Sequence, residues 1–136
     1  MDLRILKIAS HTENNKILEN FTHKSKNKNP LCGDEMEISL IIENNIVKDI
    51  GYQCKSCIYC QASVSLLSRS VIKEPLDKIT GILEKIESFF DKDFNFLKEI
   101  KLKNVKNLKE IMTTNNISRK ECLLLPFKTL SKALNL

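Results

Sequence analysis

EMEISLIIENNIVKDIGYQC, running from Glu35 to Cys54, constrains the fold more than any other stretch of the chain. Met36, Ile38, Leu40 and Ile42 alternate with Glu37, Ser39, Ile41 and Glu43. Successive side chains of a strand point to opposite faces, so the first set shares one face. Asn44-Asn45 follows, a pair that tolerates the positive φ that a two-residue hairpin turn requires. The stretch therefore predicts two antiparallel strands with one apolar face, and that face needs other elements to cover it.

The rest of the chain supplies mostly helices. Leu3, Ile5, Leu6 and Ala9 predict a short helix over residues 2–9. From His11 to Pro30 the chain is polar and predicts a connection, with the basic run HKSKNKN at 23–29 as a solvated surface. Helical periodicity returns over Ile58 to Ile72 through Ala62, Leu66, Leu67 and Val71, and Pro75 separates this helix from the next. In that next helix Leu76, Ile79, Leu83, Ile86 and Phe90 form one stripe, widened by Ile82 and Phe89. Val105, Leu108, Ile111 and Met112 mark a further helix. Ser118 reads as the N-cap of the last one, with Glu121 three residues on and an apolar run from Cys122 to Leu134. Pro126 lies deep in that helix and predicts a kink or a later start. The result is one α+β domain over residues 1–136, a small antiparallel sheet with helices packed on one face.

Charge and composition narrow the function. The formal charge is +5, but aromatics make up only 6% and no recognition motif accompanies the lysines, which argues against nucleic acid as a partner. MDLRILKIAS is too short and too charged for a signal peptide, and no apolar run reaches membrane-spanning length, so the expected location is cytoplasmic. In that reducing compartment an odd set of 5 cysteines points to metal binding or catalysis rather than to disulfides. His11 and His23 stand in polar surroundings and read as solvated residues.

CKSCIYC places Cys54, Cys57 and Cys60 at three-residue intervals. A ferredoxin-type run needs a fourth Cys after three more residues, where this chain has Val64. A zinc ribbon needs a second C-x2-C, which is lacking. Further ligands must come from elsewhere, and Cys32 and Cys122 are the thiols available. In NPLCGDE, Gly33 allows a turn tight enough for Asp34 to point to the same place as Cys32. Cys57 and Cys122 both fall at helix starts, where the dipole favours thiolate over thiol. Cys32, Asp34, Cys57 and Cys122 thus form a candidate set of three soft thiolates and one harder carboxylate, suited to zinc or an iron–sulfur cluster with one exchangeable corner.

These residues resemble the U-type iron–sulfur cluster assembly family, which includes IscU, SufU and the N-terminal domain of NifU. Its N-P-x-C-G-D motif is matched by Asn29-Pro30-Leu31-Cys32-Gly33-Asp34. Its second Cys, followed by Ala-Ser at a helix start, is matched by Cys57 with Ala62-Ser63-Val64-Ser65, and its third Cys by Cys122 with Arg119 three residues before it. Cys57 and Cys122 lie 65 residues apart, a spacing closer to the SufU type, and the Leu-Pro-Pro-Val-Lys sequence of IscU is absent. HTENNKIL departs from the family's N-terminal pattern, where the usual desulfurase contact lies.

The resemblance implies a SufE/IscU-like fold and a cluster scaffold or a zinc-dependent acceptor of sulfur, at most a sulfurtransferase-like protein rather than an enzyme with its own turnover. It implies zinc or a [2Fe–2S] cluster on Cys32, Asp34, Cys57 and Cys122, with a cysteine desulfurase and apo iron–sulfur proteins as partners. Cys122 is the candidate sulfur acceptor, and Arg119 the candidate partner of Asp34 during ligand exchange. Cys54 and Cys60 are open between a sulfur relay, a substitute ligand and packing. The competing readings are a structural zinc domain mediating protein contacts and a redox protein using Cys57 and Cys60 as a dithiol.

Overall fold

A computed structural model of the chain describes residues 3–30, 33–86 and 119–136. Its elements in chain order are α1 (Leu3–Ala9), β1 (His23–Lys28), β2 (Glu35–Glu43), β3 (Ile46–Lys55), α2 (Ile58–Val71), α3 (Leu76–Lys85) and α4 (Lys120–Ala133). The helix expected around Val105 to Met112, together with Phe89, Phe90 and Ser118, lies outside the described residues.

The hairpin forms as its alternation dictates. Asn44 and Asn45 take φ of 55° and 61°, and Glu43 pairs with Ile46 across the turn. Met36, Ile38 and Leu40 of β2 are buried on one face with Ile50 and Tyr52 of β3. Val47 is buried too, although its position in β3 has the opposite parity to Ile50 and Tyr52. A register shift after Ile41 explains it: Ile41 pairs with Asp49 and Ile42 with Val47, so Lys48 is the extra residue of a bulge that returns Val47 to the core face.

The sheet has three strands, not the two expected, in the order β1-β2-β3 and antiparallel throughout. The polar segment taken for a connection and its basic run contain β1. Lys24, Lys26 and Lys28 alternate with Ser25 and Asn27, and the inward positions carry no apolar side chain to signal a strand. Ser25 is buried because its Oγ donates to the Thr129 carbonyl at 2.6 Å, and Lys132 Nζ donates to the Lys26 carbonyl at 2.8 Å. Hydrogen bonds to α4 do here what hydrophobic burial does for β2.

On the core face α4 packs against α2, β1 and β2, while α1 rests on α2. The buried residues of α1 are Ile5 and Ile8, with Leu3 and Leu6 exposed, so its inner face is turned from the one the sequence pattern suggests. Ile79, Ile82, Leu83 and Ile86 bury the stripe of α3. The N-cap of α4 is Arg119, without a side-chain capping bond, and the helix runs through Pro126. Among the described residues no helix is long and apolar enough to cross a membrane.

The opposite face of the sheet is crossed by the segment through Lys16 and Leu18. A Cβ on Gly51 would meet the Lys16 carbonyl oxygen at 2.6 Å, so glycine is required there by close backbone approach. Gly51→Ala should cost about 1–3 kcal/mol by overpacking, read as a fall in the denaturant midpoint. On the same face Glu37 accepts from Lys24 at 3.0 Å and lies 3.4 Å from Lys26. The Lys24 hydrogen bond leads in holding its carboxyl below the ordinary 4.5. Such a depressed group stabilises the fold above its unfolded pKa and loses that contribution as pH falls through the folded value. Glu37→Gln should therefore cost up to about 1 kcal/mol at neutral pH and nothing in strong acid, as measured by chemical unfolding across pH.

Candidate metal centre

The site is built from the ends of three elements. Asp34 is the last residue before β2, in a loop closed by two backbone bonds: Asn29 N–H donates to the Asp34 carbonyl and Gly33 N–H to the Asn29 carbonyl, each at 2.8 Å. Gly33 takes φ of 77°, the left-handed conformation that glycine adopts without strain, as its place in the sequence predicts. This turns the Asp34 side chain inward, where it is buried.

Cys57 is the N-cap of α2, with extended backbone at φ −69° and ψ 167°, and its thiol makes no capping bond. Serine or aspartate at such a position uses its side chain to cap the first amides. Here the sulfur stays available at the positive end of the helix. The Cys57 N–H donates instead to Asp34 Oδ1 at 3.3 Å, which ties the carboxylate to the thiol. Cys122, buried in the first turn of α4, brings the third group.

One ligand atom each from Asp34, Cys57 and Cys122 lie within 4.8 Å of one another. Two ligands about 2.3 Å from a common ion at the tetrahedral angle stand about 3.8 Å apart, so a small contraction suffices to hold one. Asp34 Oδ2 is buried and has no hydrogen-bond partner among the described residues. A buried carboxylate oxygen in that condition is costly unless a cation or donor meets it. The donor set therefore fits a thiophilic metal ion. Cys32, the fourth residue of the expected set, lies outside the described residues.

The flanking thiols of CKSCIYC part company. Cys60 is fully buried in the core, and burial drives its thiol far above the ordinary range. Cys54 is half-buried, its thiol also raised, first by burial. It lines an open groove of about 680 Å³ that also carries Lys26, Lys28, Lys55 and Lys132. Ser56 Oγ has no partner at hydrogen-bonding geometry, yet lies near enough to both thiols to offset part of each shift. Neither thiol belongs to the three-ligand cluster.

Arg119 places its guanidinium 5.1 Å from the centre of the Tyr59 ring and is exposed. The only signal for Tyr59 in residue order is its place between Cys57 and Cys60. Ser63 is fully buried, and its hydroxyl donates to the Leu123 carbonyl at 2.6 Å, beside Cys122. Its only sequence signal was its membership of Ala62-Ser63-Val64-Ser65.

The NifU-like N-terminal domain family model matches residues 3–117. The iron–sulfur cluster assembly scaffold protein IscU of Thermotoga maritima is 36% identical over 117 residues, covering 86% of this chain and 80% of that protein. Among solved structures, a protein of Fervidobacterium islandicum assigned to the SUF system as a cluster assembly scaffold superposes with a TM-score of 0.82 at 23% identity, covering 98% of this chain and 96% of that one. The N-terminal part of a NifU-like protein from Brucella abortus also gives 0.82, at 22% identity, covering 98% of this chain and 91% of that one. At those identities the two structures bear on the fold, an α+β arrangement of the same kind.

The contrast between the flanking thiols is measurable. Alkylation of the native protein with iodoacetamide at mildly alkaline pH should leave Cys60 unmodified until the chain is unfolded. Cys54 should react, more slowly than an ordinary exposed thiol. Peptide mass mapping with and without denaturant reads both.

Proposed function

The chain belongs to the NifU-like N-terminal domain family, and on that premise we propose that it is an iron–sulfur cluster assembly scaffold whose site consists of Cys32, Asp34, Cys57 and Cys122. The observation that carries this reading is the convergence of Asp34, Cys57 and Cys122 within 4.8 Å, from segments far apart in the chain. It is supported by Asp34 Oδ2, which has no hydrogen-bond partner among the described residues. Iron and sulfide are the cargo of such a site rather than resident catalysts.

The residues divide the work by their chemistry. Thiolates hold iron or zinc strongly, and the carboxylate is the weaker, exchangeable ligand. Cys122 is the proposed sulfur acceptor. Its thiolate attacks the terminal sulfur of a persulfide on a cysteine desulfurase; a new S–S bond forms at Cys122, the desulfurase S–S bond breaks, and the desulfurase cysteine leaves as thiolate. Reduction of that sulfur to sulfide takes two electrons from an external thiol reductant. Cys32, Cys57 and Asp34 hold iron beside it, and the finished cluster, [2Fe–2S] by the size of the ligand set, passes to apo iron–sulfur proteins.

Arg119 is proposed to pair with Asp34 when the metal releases it. The guanidinium stands three residues before Cys122, is exposed, and rests on the Tyr59 ring. Zinc in the same site, with the chain acting as a SufU-type sulfur acceptor, is supported by the spacing of Cys57 and Cys122. A cytoplasmic location fits a thiol site that must stay reduced.

Asp34→Ala separates a transfer site from a structural one. The variant should keep its fold, assemble a cluster with ferrous iron, cysteine and a desulfurase under anaerobic conditions, and release it to an apo-ferredoxin more slowly than the parent. Visible absorption and circular dichroism follow both steps. A loss of thermal stability in the zinc-loaded variant, with no change in transfer, would favour a structural zinc domain. A parent protein that binds neither iron nor zinc and takes no sulfur would refute the scaffold reading.

A further inference from the structure

Four serines of α2 are buried: Ser63, Ser65, Ser68 and Ser70. Each hydroxyl finds a carbonyl, but the carbonyls differ in where they lie. Ser70 donates to Leu66 and Ser68 to Ser65, both within α2. Ser65 donates to the carbonyls of Ile8 and His11, at the end of α1. Ser63 alone of these four reaches α4, through the Leu123 carbonyl at 2.6 Å.

The first turn of α4 depends on outside contacts for physical reasons. Pro126 has no N–H to offer the carbonyl of Cys122, so one bond of the helical ladder is lost at the ligand itself. The N-cap residue Arg119 makes no side-chain capping bond. Two contacts from α2 bracket Cys122: the Tyr59 ring under Arg119 and the Ser63 hydroxyl on Leu123. The first is exposed. The second is fully buried, short, and shielded from competing water.

We propose that Ser63 is a positioning residue of the metal centre: by holding the Leu123 carbonyl, its hydroxyl sets the separation between Cys57 at the start of α2 and Cys122 at the start of α4. The inference rests on the metal-site reading above and concerns how this chain keeps the site in shape. Groups that orient a metal ligand without touching the ion commonly change affinity by about 10- to 100-fold when removed. Ser63 acts in that way, through the backbone of the residue next to Cys122.

The test uses Co(II) as the probe, because its thiolate charge-transfer and ligand-field bands report both affinity and geometry. Ser63→Ala should weaken Co(II) binding by about 10- to 100-fold in competition with a chromophoric chelator, and should shift or broaden the ligand-field bands. Ser70→Ala removes an equally buried hydroxyl of the same helix that bonds within α2, and should leave affinity and bands at parent values. Thermal unfolding of the metal-free variants reads the purely structural cost, expected to be similar in both.

Ser63→Thr and Ser63→Val cover the event that Ser63→Ala does not fold. They share one shape, and only threonine keeps the hydroxyl, so threonine should bind Co(II) more tightly than valine by the same factor. Equal affinity in that pair, or an unchanged spectrum in Ser63→Ala, would overturn the proposal. A parent that binds no Co(II) would overturn the metal-site reading instead, and the two failures are distinct.

Discussion

The hydrogen bond from the Cys57 N–H to Asp34 Oδ1 is the contact on which the site turns. A carboxylate placed beside two thiols in a buried setting needs a fixed donor, or it rotates out to water. The donor here is the amide of the very residue whose sulfur is the neighbouring candidate ligand, so the oxygen and the sulfur move together. Because Cys57 is also the N-cap of α2, the orientation of the whole helix is passed on to this carboxylate–thiol pair.

The polar interior of α2 follows from the same arrangement. A helix packed against α1, α4 and the sheet would ordinarily be apolar all round. Instead its buried serines satisfy their hydroxyls on carbonyls, and Asn14 adds a bond from its amide to Ser68 Oγ at 3.2 Å. A buried hydroxyl with a partner costs little, while one without a partner is destabilising, so such a helix fits only one set of neighbours. The helix gains definition of position from this, which a site assembled from distant segments requires.

Much of the architecture was legible in residue order. Alternation over Met36 to Ile42 and the turn at Asn44-Asn45 fixed the hairpin, and the stripe from Ile79 to Ile86 fixed α3. β1 was not legible, because Ser25 is buried by a hydrogen bond to a residue 104 positions away and leaves no apolar alternation to detect. The inner face of α1 was misread for a related reason: Leu3 and Leu6 are as apolar as Ile5 and Ile8, and only the position of α2 selects between them.

The candidate site divides in the same way. The sequence by itself determined which groups are available and what each is suited to. A carboxylate follows a glycine that permits the turn, and two cysteines stand at helix starts. Those are properties of residue type and of the few neighbours on either side, so they survive reading in one dimension. Only the tertiary structure decided that Asp34, Cys57 and Cys122 meet, that Cys60 is sealed in the core while Cys54 lines a groove, and that a serine 60 residues before Leu123 grips its carbonyl. Those outcomes depend on how α2 and α4 lie against each other, and packing is a property of all the surfaces together rather than of any one stretch.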